Sequence, residues 1–231
     1  MLGLFDSGSG GLNTARYVKE LKPSVDLVCK IDRENAPYGT KNKSQLIGII
    51  ESNIEELAAK GASRTLIACC TASALYEELG EWHRAVSVPI IAPVASAARA
   101  VSENGRIGVI ATLSTVSSHA FARALPDRAV LELEAQELVG LIDGGLCDDT
   151  AEKTDIKMLR RIVLPLARKN TDTLILGCTH FPALYDSFVR VCHPLGIKHV
   201  INSALIGART LLEYREDDER KEKWQTTEEE E

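Results

Sequence analysis

Short apolar runs that end in glycine, asparagine or serine alternate along the chain with stretches of helical period. Leu2–Phe5, Asp26–Ile31, Thr65–Ala68, Pro89–Ala92, Arg106–Ala111, Ala129–Leu133, Thr173–Leu176 and His199–Ile201 read as strands. Between them, Gln45–Lys60 sets Leu46, Ile49, Ile50, Ile54 and Leu57 on one helical face, with Gly61 placed to end the helix. Asp155–Arg168 carries a second such stripe in Leu159, Ile162, Val163 and Leu166. Strands alternating with helices predict an α/β fold of mainly parallel sheets flanked by helices, with sites at the strand C-terminal ends.

The chain also echoes itself. Thr65–Ser73 (TLIACCTAS) and Thr173–Phe181 (TLILGCTHF) share Thr-Leu-Ile followed by a Cys-Thr pair. Counting from Thr-Leu-Ile matches Cys70 to Cys178, whereas a shift of one residue matches Cys69 instead, and the echo leaves both registers open. A weaker echo links Gly3–Gly11 (GLFDSGSGG) to Gly108–Val116 (GVIATLSTV), each an apolar run entering a loop of small and hydroxyl residues. Two pseudo-symmetric domains are therefore expected, residues 1–92 with 207–231 and residues 93–206, facing one another across a cleft. The stretch Arg215–Glu231 is a charge-rich tail expected to fray at its end.

Composition narrows the class. The 231 residues are 45% hydrophobic and 26% charged, ordinary for a soluble globular protein. No apolar stretch reaches the length of about 20 residues that spans a bilayer. Met1–Asp6 lacks a basic n-region and reads as a strand, so a cytoplasmic protein without a secretory signal is expected. A formal net charge of -6 argues against a nucleic-acid partner.

The six cysteines sit in a long chain that needs no disulfide staples, so free thiols are expected. There is no C-x-x-C pair, and Cys178-Thr-His180 lacks the spacing of common zinc sites, so no metal is expected. Cys29, Cys147 and Cys192 read as packing residues. His119 and His193 read as surface histidines, Trp82 as packed on a helix, and Trp224 as docking the tail.

A thiol serves as a base when its surroundings lower its pKa from about 8.5, and a strand-to-helix turn supplies part of that. Asp6 is placed to orient or deprotonate one thiol and His180 the other. Two such groups on opposite faces of one carbon suit inversion, one removing a proton while the other returns it. A redox dithiol is the competing reading, but such sites use C-x-x-C. The loop Asp6–Gly11 is neither a P-loop nor a G-x-G-x-x-G fingerprint. Its glycines either converge backbone N–H groups on an anion or simply make a tight turn.

Five ordered segments carry a specific resemblance. Phe5–Gly11, Asp32 with Ala36–Thr40, Ala68–Ser73, Ile107–Thr112 and Leu176–His180 resemble the motifs of the glutamate racemases of the aspartate/glutamate racemase superfamily, over about Leu2 to Ala208. The resemblance implies a two-base amino-acid racemase that needs no cofactor, with its site between two α/β domains. It implies bases at Cys69 and Cys178, supported by Asp6, His180 and Asp143, and substrate contacts at Asp6, Ser7, Tyr38, Gly39, Cys70, Thr71, Thr179 and His180. With glutamate as substrate, it further implies supply of D-glutamate for bacterial peptidoglycan. Family analogy alone suggests a homodimer.

Two positions depart from the pattern. Cys70 stands where the family has an asparagine, and a thiol donates and accepts hydrogen bonds only weakly. Asp143, in Leu138–Asp143, stands in place of a glutamate and is one methylene shorter. These departures motivate two alternatives: an aspartate or broad-specificity racemase, and an inactive amino-acid-binding homologue.

Overall fold

The computed structural model describes residues 1–151 and 153–213. The tail from Arg215 onward, with Trp224, lies outside the described residues. Eight strands run as β1 (Leu2–Asp6), β2 (Leu27–Ile31), β3 (Arg64–Ile67), β4 (Ser87–Pro89), β5 (Arg106–Ala111), β6 (Ala129–Glu134), β7 (Thr173–Gly177) and β8 (His199–Asn202). They form two four-stranded sheets of identical topology, β2-β1-β3-β4 and β6-β5-β7-β8. Every pair is parallel, as α/β crossovers require.

The central strands β1, β3, β5 and β7 are apolar and almost wholly buried, because helices cover both faces. The helix Lys43–Ala59 starts at a capping box in which Asn42 and Gln45 exchange side-chain and backbone bonds. It buries Leu46, Ile50, Ile54 and Leu57, and Gly61 follows it at φ +92°. The helix Lys153–Ala167 likewise buries Leu159, Val163 and Leu166. No helix among the described residues is long and apolar enough to cross a membrane.

Three expectations need correcting. The run expected as a strand over Pro89–Ala92 is a strand only to Pro89, and Ile91–Val101 is a helix burying Ile91, Val94, Ala95 and Ala98. That spacing is helical, and Pro93 in the first turn costs no intrahelical bond. Cys29 is exposed rather than packed, because β2 is an edge strand. Trp82 is 49% exposed and meets His83 edge-on.

Candidate active site

The C-terminal ends of the inner strands of both sheets open on one cavity of about 430 Å³. Asp6 ends β1, Cys69 and Cys70 follow β3, Thr112 follows β5, and Cys178 follows β7. Every residue singled out above as a site candidate lines this cavity: Asp6, Ser7, Tyr38, Gly39, Cys69, Cys70, Thr71, Asp143, Cys178, Thr179 and His180.

Sheet register bears on the cysteine doublet. Gly3 pairs with Thr65, and Phe5 with Ile67. Gly108 pairs with Leu174, and Ile110 with Leu176. Matching the glycines of the two echoing strands therefore makes Ile67 the counterpart of Leu176 and Cys69 the counterpart of Cys178. Counting from Thr-Leu-Ile slips by one residue, because Thr65 sits opposite Gly3 while Thr173 sits opposite Ile107. The two thiols of the doublet also part company in space. Cys69 belongs to the apolar cluster that holds Phe5, Tyr38 and Ile67, and Cys70 to the one that holds Leu66, Ile90 and Val94.

Around Cys69, Ser7 Oγ lies 3.1 Å from the sulfur. Asp6 is buried beside it, its Oδ1 accepting the Gly8 N–H at 2.9 Å and its Oδ2 without a hydrogen-bond partner. Burial pushes the Asp6 carboxyl up to about 7, against the pull of the Gly8 amide. Burial, and then the nearby Asp6 charge, push the Cys69 thiol up to about 11. Tyr38 approaches from the side, its hydroxyl donating to Asp32 Oδ2 at 2.7 Å.

Around Cys178, His180 Nδ1 lies 3.6 Å from the sulfur, and His180 Nε2 lies 3.4 Å from Asp143 Oδ1. Burial pushes the Cys178 thiol up, and pushes the His180 imidazole down against the pull of Asp143. Thiols lowered by helix N-termini were the expectation, and both are instead held neutral. Only the four-residue helix Cys70–Ser73 follows Cys69, and a 3₁₀ turn, Phe181–Leu184, follows Cys178. Neither has the length to offset desolvation. All six cysteines are free thiols. Among the described residues no group of three His, Cys, Asp or Glu side chains could hold a metal ion.

The second half contributes more than was singled out. Thr71 Oγ1 lies 3.2 Å from both Thr112 Oγ1 and Thr115 Oγ1, which are 3.0 Å from each other. This ring of hydroxyls joins the two halves at the cavity wall. Ser114 and Gln136 also line it. The hydroxyl-rich loop after β5 was visible in the weaker echo, whereas nothing local in the sequence marks Gln136.

A family profile described as Asp/Glu/Hydantoin racemase matches residues 18–211. A glutamate racemase of Gloeobacter violaceus is 37% identical over 190 residues, 80% of this chain and 69% of that protein. The solved glutamate racemase isoform RacE1 of Bacillus anthracis superposes with a TM-score of 0.81 at 29% identity, covering 94% of this chain and 82% of that one. The Escherichia coli glutamate racemase, solved with L-glutamate and the activator UDP-MurNAc-Ala, gives a TM-score of 0.67 at 28% identity, over 90% and 80% of the two chains.

Proposed function

Because the chain belongs to the Asp/Glu/hydantoin racemase family, we propose that it interconverts L- and D-glutamate by proton exchange between two thiols. The observation that carries this reading is the pair of buried thiols, Cys69 and Cys178, delivered from equivalent strand ends into one cavity. One thiolate takes the α-proton, the C–H electron pair stays on the α-carbon and its carboxylate, and the other thiol returns a proton to the opposite face. The first sulfur is then the thiol and the second the thiolate, the arrangement that the reverse direction needs.

Neutral resting thiols fit this chemistry. The Asp6 carboxyl, near 7, sits beside Cys69 and is the group able to take a proton from it when a cationic amino group enters. His180, backed by Asp143, plays the matching part for Cys178. The hydroxyls of Ser7, Thr71 and Thr179 and the doublet's Cys70 supply the polar wall against which the substrate carboxylates settle. On this reading, residues 1–92 with 207–231 and residues 93–206 are the domains that close on the substrate. The product would supply D-glutamate for peptidoglycan from the cytoplasm.

Chiral chromatography across purified L- and D-amino acids tests the proposal. Racemisation of glutamate in both directions is the expected result. Turnover of aspartate in preference would move the assignment to that substrate, and no turnover of any acidic amino acid would leave a binding protein.

A further inference from the structure

Several N–H groups of the glycine-rich loop after β1 are taken up within the loop itself. Gly8 donates to Asp6, and Gly11, Leu12 and Asn13 donate to the carbonyls of Gly8, Ser9 and Gly10. Its side chains instead reach across the cleft. Ser9 Oγ donates to Asp143 Oδ1, the same oxygen that faces His180 Nε2. Asn13 Nδ2 donates at 2.9 Å to the carbonyl of Thr179, the residue between Cys178 and His180. Gly10 packs so tightly there that a Cβ would stand 2.7 Å from His180 N.

Asp143 needs such a tether. It is the last residue of the helix Glu137–Asp143, and its side chain is 47% exposed. An untethered carboxylate at that exposure swings into water and loses most of its hold on a neighbour through screening. His180 Nε2 is buried and has no hydrogen-bond partner, so the Asp143 carboxylate 3.4 Å away is what it faces. Besides Asp143, Cys178 and His180, the titratable groups lining the cavity are Asp6, Tyr38, Cys69 and Cys70.

We propose that Ser9 is a positioning residue for the second thiol: from the opposite half it holds Asp143 against His180 and so sets the imidazole that serves Cys178, while Asn13 fixes the backbone of the same segment. The first half thus completes the thiol site of the second, and Cys178 is armed only when the two halves meet. The proposal rests on the two-thiol reading above.

Its test uses Ser9→Ala, Ser9→Thr and Asn13→Ala in the full chain. A racemase has an equilibrium constant of one, so weakening one base lowers kcat/KM equally for both enantiomers. The signature lies in the isotope effects. With Ser9→Ala, kcat/KM falls about 10-fold, below the 10²–10⁴ of a full acid–base group. The α-deuterium effect on kcat/KM rises for the enantiomer that Cys178 deprotonates and falls for the other. Asn13→Ala acts in the same sense, and Ser9→Thr, which keeps the hydroxyl, restores both values. Isotope effects that are unchanged, or that move together, overturn the proposal.

A second measurement needs no turnover. Iodoacetamide labelling at pH 8, resolved by site through peptide mass spectrometry, gives the ratio of Cys178 to Cys69 reactivity. The ratio is expected to fall several-fold in Ser9→Ala and to return in Ser9→Thr. An unchanged or raised ratio refutes the positioning role. Should the wild-type protein turn over no acidic amino acid, the racemase reading fails while this ratio still decides the role of Ser9.

Discussion

Asp32 is a heavily committed carboxylate that stands one residue behind the cavity, reaching it through Tyr38. It is 3% exposed, and its Oδ2 accepts from the Tyr38 hydroxyl at 2.7 Å and from Asn53 Nδ2 at 3.1 Å. Half-buried Asn35 donates to both oxygens at 3.0 Å. Asp32→Ala leaves the buried Tyr38 hydroxyl and one Asn53 donor without an acceptor, while Asn35 turns to water. At about 1.5–3 kcal/mol for each hydrogen bond to a charged group, the loss is roughly 3–6 kcal/mol. That is a large share of the 5–15 kcal/mol that holds a typical protein folded. Asp32→Asn keeps one acceptor oxygen for Tyr38 and Asn53, but loses the charge and sets an N–H donor against Asn35, which turns to water, costing about 2–3 kcal/mol. Urea unfolding of the three proteins gives the values. The hydrogen bonds, led by that of Tyr38, hold the folded pKa of Asp32 down in spite of burial. Its contribution is therefore complete above the unfolded value of about 3.9 and is lost as pH falls through the folded value. The gap between wild type and Asp32→Asn should be constant from pH 8 to 5 and close below pH 4. An Asp32→Ala loss under about 1 kcal/mol would refute the hydrogen-bond accounting.

Other perturbations separate the roles of the cavity groups. Cys69→Ser and Cys178→Ser should each lower racemisation by at least about 10²-fold with unchanged urea midpoints, while each still eliminates HX from a halogenated substrate of one configuration; full activity in either variant removes that thiol from the mechanism. Gly10→Ala drives a Cβ to 2.7 Å from His180 N, so the halves should fail to seat and turnover should fall with little change in far-UV circular dichroism; wild-type kinetics would deny the close approach. Asp6, with a folded pKa raised by burial to about 7, favours the folded state below the unfolded value and penalises it as pH rises through 7. Asp6→Asn should therefore stabilise the fold at pH 8 by about 1–4 kcal/mol relative to pH 5, and a pH-independent difference would show that Asp6 titrates normally.

Apolar periodicity reveals most of this fold because the central strands are buried on both faces and bounded by glycines and polar turns. It misleads where its signal is degenerate. Val88–Ala92 is apolar without a break, and only the burial of Ile91, Val94, Ala95 and Ala98 reveals a helical period behind it. Asp6, the doublet and Cys178 were legible because each lies at a strand C-terminal end, where sites gather in parallel α/β sheets, whereas Tyr38, Gly39 and Asp143 were marked only by the family resemblance. Ser9 and Asn13 were not marked, because their partners lie in the other half and no local pattern carries such a contact. The ionisation of the thiols was misjudged for a different reason. A strand-to-helix turn in sequence does not report how many helical turns follow, and here desolvation outweighs the short helix and the 3₁₀ turn.

The doublet shows how a register is decided. Thr-Leu-Ile recurs in both halves, but it starts one residue earlier relative to its neighbouring strand in the second half than in the first. In an extended segment a slip of one residue exchanges the faces to which side chains point. Counting along the sequence therefore assigns Cys70 the place of Cys178, and pairing across the sheet assigns it to Cys69. The surroundings agree with the sheet. Cys69 has the Ser7 hydroxyl at 3.1 Å and the buried Asp6 beside it, a means of giving up and regaining a proton. Burial also holds Cys70 neutral, with the charges of Cys178, Cys69 and Asp6 opposing its ionisation, and no hydroxyl or amide lowers its pKa in return. A group so placed can meet a substrate's polar atoms but is ill suited to carry charge. Cys70→Ser and Cys70→Asn should accordingly retain turnover, with their effect on KM, while Cys69→Ser loses kcat. Measuring the three in one buffer decides the register, and a dead Cys70→Ser beside an active Cys69→Ser would reverse it.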